Sequence, residues 1–195
     1  MAILTVPTDF NSLQAAILNA ASGDEIRVTR WSGAETAQTV YVTEDALTIS
    51  VERIGATNQY TFNATSAMTT LNLQHVPRGP IDGTTLATVR DAAGDNTYTI
   101  QNAGFGLGTF VSILDRLGND SYFGDAGSQS LFLQYGENTA QLGGGDDSVS
   151  ISRDAGNSTV HGGDGFDRIT LSATTGLDID LGDPTPQLLP NAQRL

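Results

Sequence analysis

The segment GGDGFDRIT, residues 162–170, carries the strongest signal for the fold. It follows the nonapeptide pattern Gly-Gly-x-Gly-x-Asp-x-apolar-x, with Asp167 at the sixth place and Ile169 at the eighth. A second copy, LGGGDDSVS at residues 142–150, matches except that Leu142 replaces the first glycine. Nonapeptide repeats of this kind are typical of parallel β-helices, in which each unit forms one turn and one short strand.

Six glycines place the same kind of unit at regular intervals along the chain. Each opens a run in which a polar residue, then Ser, Thr or Arg, then an apolar residue follow in fixed order. The intervals are nine residues, with one of eleven; the glycines are Gly118, Gly127, Gly136, Gly145, Gly156 and Gly165. Two units complete one coil, so alternate units are expected to stack on the same side. The register predicts one stack at 118, 136 and 156, and another at 127, 145 and 165.

Short alternating strands are predicted for most of the chain after Asp24, separated by turns rich in glycine and aspartate. The one helical pattern lies at residues 9–22, with Asp9 as its N-cap and Gly23 as its C-terminal cap. We therefore predict an all-β fold, a right-handed parallel β-helix or β-roll solenoid with an N-terminal capping helix. A single solenoid is expected over residues 1–195. Irregular coils would occupy 24–114, repeat-bearing coils 115–182, and a C-terminal tail 183–195.

The register brings Asp147 and Asp167 one coil apart on the same side of the solenoid. Glycines in their turns permit positive φ, which directs backbone carbonyl oxygens inward. Calcium accepts six to eight oxygens from carboxylates and carbonyls, so each turn would supply half a coordination shell. The predicted metal ligands are Gly143, Gly145, Asp147, Gly162, Asp164, Gly165 and Asp167.

The other stack is predicted to be a poor ion site. Its units lack the leading glycine pair, and their sixth places hold Asp120, Asn138 and Ser158. Polar ladders or water are expected to take the place of calcium there. One good calcium site is therefore predicted, with a second, partial site as an alternative.

The negative net charge favours a cation as partner or serves solubility alone. The chain has a formal net charge of −13, 22 glycines, no cysteine and no lysine. Nucleic acid and anionic membrane surfaces both require basic protein surfaces, so neither is expected as a partner. No apolar run is long enough for membrane insertion, and the start MAILTVPTDF lacks the features of a secretory signal peptide.

Residues 142–170 resemble the RTX (repeats-in-toxin) family of bacterial proteins exported by type I secretion, and residues 115–141 resemble it more weakly. The segment LDIDLGDPTPQ at 177–187 is similar to sequences between RTX blocks, and DFNSLQAAILNAASGDEIRV at 9–28 resembles the opening of pectate-lyase-like β-helices. The resemblance implies calcium-driven folding after export and an extracellular or cell-surface location, reached without a classical signal peptide.

We therefore expect a non-enzymatic, calcium-stabilised structural, adhesive or surface-assembly module. Besides calcium, the partners considered are further copies of the same chain and a polysaccharide. No catalytic residue is predicted. The alternative is a polysaccharide lyase or epimerase-like β-helix acting on an acidic polysaccharide, since such enzymes combine calcium, carboxylates and an arginine. Arg153 and Arg168 would be the candidate arginines, although neutralisation of neighbouring aspartates is the simpler role for both.

Overall fold

The computed structural model shows an all-β parallel solenoid with one short helix. It describes residues 1–29, 38–44, 46–53, 60–64, 70–77, 85–91, 93–101, 110–152, 154–172 and 178–180. The predicted fold class is thereby confirmed. The predicted C-terminal tail and residues 181–187 of the RTX-like segment lie outside the described residues.

The described strands form two parallel sheets. Their bounds are β1 Ile3–Val6, β2 Glu25–Val28, β3 Gln38–Val42, β4 Leu47–Arg53, β5 Tyr60–Ala64, β6 Thr70–Pro77, β7 Thr85–Arg90, β8 Thr97–Gln101, β9 Phe110–Leu114, β10 Ser121–Phe123, β11 Ser128–Leu133, β12 Thr139–Gln141, β13 Ser148–Ile151, β14 Thr159–His161, β15 Arg168–Leu171 and β16 Asp178–Asp180. One sheet runs β1-β2-β4-β6-β8-β10-β12-β14-β16, and the other runs β3-β5-β7-β9-β11-β13-β15. From β2 onward, consecutive strands therefore alternate between the sheets, so that one strand from each sheet belongs to every coil.

The core is built from the inward-facing residues of both sheets. In β13 the burial alternates, with Val149 and Ile151 buried and Ser148 and Ser150 less so. Val149 pairs in register with Leu131 on one side and Ile169 on the other, so apolar residues stack directly above one another. Because successive side chains of a strand point to opposite faces, this alternation selects which residues enter the core.

The helix is shorter than predicted. It spans Leu13–Asn19, and Ser12 is its N-cap, accepting a hydrogen bond from the Ala15 amide at 3.2 Å. The prediction of Asp9 as N-cap was wrong, because the Asp9 carboxylate instead accepts from the Thr5 amide at 2.8 Å and closes a turn after β1.

The C-terminal end of the helix also differs from the prediction. The helix ends at Asn19 with Ala20 as its C-cap, so Gly23 does not cap it. Gly23, at φ 84°, belongs to a following turn in which the Asp24 carboxylate accepts from the Ala21 amide at 3.0 Å. This hydrogen bond holds the chain in a turn, so the helix does not continue to residue 22.

The helix, α1, takes the place of a strand in the first coil. It lies between β1 and β2 in the chain, where later coils have a strand of the other sheet, and it contacts β1, β2 and β3. Leu13, Ala16 and Ile17 are buried in the core. The helix therefore covers the end of the core, as an N-terminal cap must do in a solenoid.

The predicted glycine register is confirmed by the way the turns stack. A Cβ atom on Gly136 or Gly156 would overlap the backbone of the equivalent glycine one coil earlier, and the same holds for Gly165 over Gly145. Gly94 extends the first stack by one further coil, since Gly118 lies against its carbonyl oxygen. Both sheets continue across the predicted boundary at 114/115 without changing partners, because β8 pairs with β10 and β9 with both β7 and β11.

Candidate metal centres

The turns of the predicted calcium site are linked by their sixth-place side chains. Asp147 Oδ1 accepts a hydrogen bond from the Gln129 amide at 2.6 Å, and Asp167 Oδ1 accepts from the Asp147 amide at 3.0 Å. Each carboxylate thus caps the turn one coil before its own. The structure therefore brings Asp147 and Asp167 together, as the nine-residue register predicts.

The second oxygen of each of these two carboxylates is buried without a hydrogen-bond partner. This holds for Asp147 Oδ2 and for Asp167 Oδ2. Asp147 as a whole is only 2% exposed, whereas Asp167 in the next turn is half-buried. An unpaired buried carboxylate oxygen is costly, so the pair requires a proton or a cation to complete its interactions.

The electrostatics of the pair point the same way. Burial, together with the negative charges of Asp167 and Asp146, raises the pKa of Asp147 to about 8, against the lowering effect of the hydrogen bond from Gln129. Burial likewise raises the pKa of Asp167. Both carboxylates are therefore unfavourable as bare anions in this environment.

The predicted glycine ligands serve mainly to let coils approach each other. Gly145 and Gly165 have φ values of 94° and 133°, and Gly165 lies against the carbonyl oxygen of Gly145. The Gly143 carbonyl already accepts a hydrogen bond from the Asp164 amide at 2.9 Å.

Two other predicted ligands occupy contrasting positions. Gly162 is buried and lies directly against the carboxylate of Asp167, whereas Asp164 is exposed. The structure thus gathers Asp147, Asp167 and Gly162 at the inner end of the turns and leaves Asp164 at the outside.

A second acidic cluster lies in the stack for which no good ion site was predicted. Asp91, Asp115 and Asp120 are all buried, and each offers a carboxylate oxygen within 4.8 Å of the others. Asp91 follows β7 and Asp115 follows β9, one coil apart, while Asp120 precedes β10 at the end of the same turn as Asp115. Carboxylates from two successive coils therefore meet at one point inside the solenoid.

Two tyrosines donate hydrogen bonds to this cluster. Tyr98 donates its hydroxyl hydrogen bond to Asp91 Oδ1, and Tyr122 donates to Asp115 Oδ1 at 2.7 Å. Their rings are stacked, with centroids 5.8 Å apart and an interplanar angle of 10°. Burial and the nearby carboxylates raise the pKa of the Tyr122 phenol, so Tyr122 keeps its proton and acts as a hydrogen-bond donor.

Asp115 and Asp120 have different surroundings. Asp115 Oδ2 accepts from the Gln134 amide at 2.6 Å, so both of its oxygens are hydrogen-bonded. Asp120 Oδ1 accepts from the Asn96 amide at 2.7 Å, but its Oδ2 is buried without a hydrogen-bond partner. Burial, together with the neighbouring Asp115 carboxyl, which is close enough to share a proton, raises the pKa of Asp120 to about 8.

The nine-residue register did not find this cluster, because Asp91 precedes the first unit of the register and Asp115 fills the first place of its unit, where the calcium pattern has glycine. A longer repeat does carry the signal. The segments DAAGDNTY at 91–98 and DRLGNDSY at 115–122 share aspartate, glycine and tyrosine at identical places, 24 residues apart. Because one coil here is 24 residues long, such a repeat places both aspartates and both tyrosines in register.

No protein-family model, curated protein or solved structure matches the chain. The class to which it belongs is therefore defined by its own geometry, as a parallel β-solenoid with buried acidic clusters in the turns on both sides. Among the described residues, no helix has the length and apolar character needed to cross a membrane.

Proposed function

We propose that this chain is an extracellular calcium-binding module whose solenoid is stabilised by the ion and which serves a structural, adhesive or surface-assembly role. The observation that carries the proposal is the pair Asp147 and Asp167, stacked in successive turns with one buried, unpaired oxygen each. The acidic cluster of the opposite stack suits the same class of module.

Calcium matches the chemistry of this pair. It binds carboxylate and carbonyl oxygens in flexible geometry, and both kinds of oxygen are present in the Asp147 and Asp167 turns. An ion held between two coils would join parts of the chain that are 20 residues apart. The free energy of calcium binding would therefore add to the free energy of unfolding. The RTX-like pattern at 142–170 supports the extracellular location and export by type I secretion, because calcium is abundant only outside the cell.

Thermal unfolding followed by circular dichroism tests the proposal. We expect millimolar calcium to raise Tm and a chelator to reverse the rise, with about 2.7 kcal/mol of stabilisation when calcium is ~100 times its Kd. The double variant Asp147→Asn, Asp167→Asn should show a smaller shift than wild type. The control is Asp95→Asn with Asp154→Asn, which removes the same charge from exposed positions and should keep the shift. A melt unaffected by calcium would contradict the proposal.

A polysaccharide lyase or epimerase remains the alternative. Arg168 is exposed on β15, and Arg153 lies outside the described residues. Incubation with alginate or pectate distinguishes the two functions, since a lyase releases unsaturated sugar that absorbs in the ultraviolet. The structural module is expected to release none, with or without calcium.

A further inference from the structure

We propose that Asp91, Asp115 and Asp120 form a second calcium site, enclosed within the solenoid and separate from the turns that carry Asp147 and Asp167. The proposal goes beyond the predicted calcium site, because its ligands belong to the other stack and Asp91 precedes the nine-residue register. It would bind an ion between the coil of β7 and β8 and the coil of β9 and β10.

The spacing of the three carboxylates suits calcium. Their ligand atoms lie within 4.8 Å of one another. Calcium binds oxygens at about 2.3–2.6 Å in flexible geometry, so three oxygens this close together can reach one ion. Magnesium demands near-ideal octahedral geometry and usually retains several waters, which suits an enclosed site poorly.

Asp120 supplies an independent indication that a ligand belongs here. The residue is 1% exposed, and its Oδ2 atom has no hydrogen-bond partner although its Oδ1 is held by the Asn96 amide. Its carboxyl group faces that of Asp115 at hydrogen-bonding proximity. Two buried carboxylates in contact repel each other unless a cation or a proton lies between them.

Hydrogen bonds from two tyrosines hold the other two carboxylates of the cluster in place. The phenols of Tyr98 and Tyr122 donate to one oxygen each of Asp91 and Asp115. Neutral donors leave the negative charge in place, so the cluster keeps its attraction for a cation. Arg90 and Arg116, which neighbour Asp91 and Asp115 in the chain, are both exposed.

The enclosed position distinguishes this site from the Asp147 and Asp167 turns. All three of its ligands are buried, whereas Asp167 in the other site is half-buried and its turn carries the exposed Asp164. Asp115 is also tied to the following coil through the Gln134 amide. An ion here would therefore connect three successive coils and exchange slowly.

Counting bound calcium by equilibrium dialysis tests the proposal on the full chain. Wild type should bind two ions, Asp120→Asn one, the double variant Asp147→Asn, Asp167→Asn one, and the exposed control Asp154→Asn two. If wild type binds one ion, Asp120→Asn none and the double variant one, the buried site stands while the proposed RTX-like site fails. If Asp120→Asn binds as many ions as wild type, or the folded double variant binds none, the buried site is overturned.

Terbium luminescence provides a second readout that does not depend on Asp120→Asn folding. Terbium replaces calcium at oxygen sites and emits when a neighbouring tyrosine is excited, and Tyr98 and Tyr122 are hydrogen-bonded to the cluster. In the double variant Asp147→Asn, Asp167→Asn we expect tyrosine-sensitised emission that calcium displaces. Absence of that emission from a folded double variant would show that the cluster holds a proton instead, and would overturn the proposal.

Discussion

At the scale of single residues, the turns depend on glycine for space as much as for backbone conformation. Gly162 is buried against the Asp167 carboxylate, so a Cβ atom there would overlap the carboxylate oxygen Oδ2. Gly144, in the preceding RTX-like turn, has its nearest neighbour 3.5 Å from the position of an added Cβ, which is an ordinary contact. Two glycines of the same repeat family therefore differ in what they would tolerate.

We predict that Gly162→Ala lowers the free energy of unfolding by about 1–3 kcal/mol, the usual cost of overpacking. The Asp167 side chain would have to rotate away, and its hydrogen bond from the Asp147 amide would be lost. Gly144→Ala is the matched control and should change the free energy by less than about 0.5 kcal/mol, as benign substitutions do. Urea unfolding measures both, and equal effects from the two variants would refute the steric explanation.

At the scale of elements, the first coil is completed by the helix and by the Gln14 side chain. The amide group of Gln14 makes hydrogen bonds to the backbone of β3 of the kind that a neighbouring strand would make. The Gln14 amide group donates to the Tyr41 carbonyl oxygen at 3.1 Å and accepts from the Tyr41 amide at 2.7 Å. Tyr41 lies on β3, the edge strand of its sheet. Gln14 thus satisfies an edge that would otherwise be open to pairing with another chain.

We predict that Gln14→Ala destabilises the chain by about 1 kcal/mol, because two partly exposed hydrogen bonds are lost. It should also increase self-association through the edge of β3 at high protein concentration. The control is Asn19→Ala, which removes an exposed hydrogen bond within the helix, to the Ala15 carbonyl oxygen, and leaves the edge covered. Sedimentation velocity and urea unfolding measure the two effects. A monomeric Gln14→Ala of unchanged stability would contradict the proposed role of Gln14.

At the scale of the whole molecule, an acidic chain folds with carboxylates inside it. The net charge is −13, and burial raises the pKa of both Asp120 and Asp147 to about 8. In the unfolded chain these groups have a pKa of about 3.9. Between these two pKa values the folded chain binds more protons than the unfolded chain, so its stability falls as pH rises.

We predict that the calcium-free protein loses stability steadily from pH 5 to pH 8, and that saturating calcium abolishes or reverses this trend. The sign follows because deprotonation leaves unpaired buried charges, which the ion can neutralise. Asp24 and Glu25, whose pKa values are lowered by hydrogen bonding, act in the opposite direction below this range.

Urea midpoints in calcium-depleted buffer provide the measurement. The double variant Asp120→Asn, Asp147→Asn should flatten the pH profile, whereas Asp95→Asn with Asp154→Asn should leave it sloped. A calcium-free profile that rises between pH 5 and pH 8 would contradict the assigned burial of these charges.

Local sequence patterns predicted much of this fold. The glycine register predicted the stacking of Gly118, Gly136 and Gly156, because a fixed period in a solenoid is also a fixed position in the coil. Alternation predicted short strands for most of the chain after Asp24, and β2 to β16 lie there. Strand β1 lies before that stretch and was not predicted.

The folded structure decided which of two candidate residues begins the helix. Asp9 and Ser12 are both good N-caps, and the hydrogen bond from Thr5 to Asp9 determined which of them begins the helix.

The acidic cluster depends instead on residues from different coils. Asp91, Asp115 and Asp120 become neighbours only because β7 and β9 pair in register and the turn after β9 returns Asp120 to the same place. Residue types and spacing determined the solenoid and the stacked Asp147 and Asp167. The burial, contacts and charge of the second cluster required the coils to be packed together, because these are properties of pairs that the order of residues along the chain does not contain.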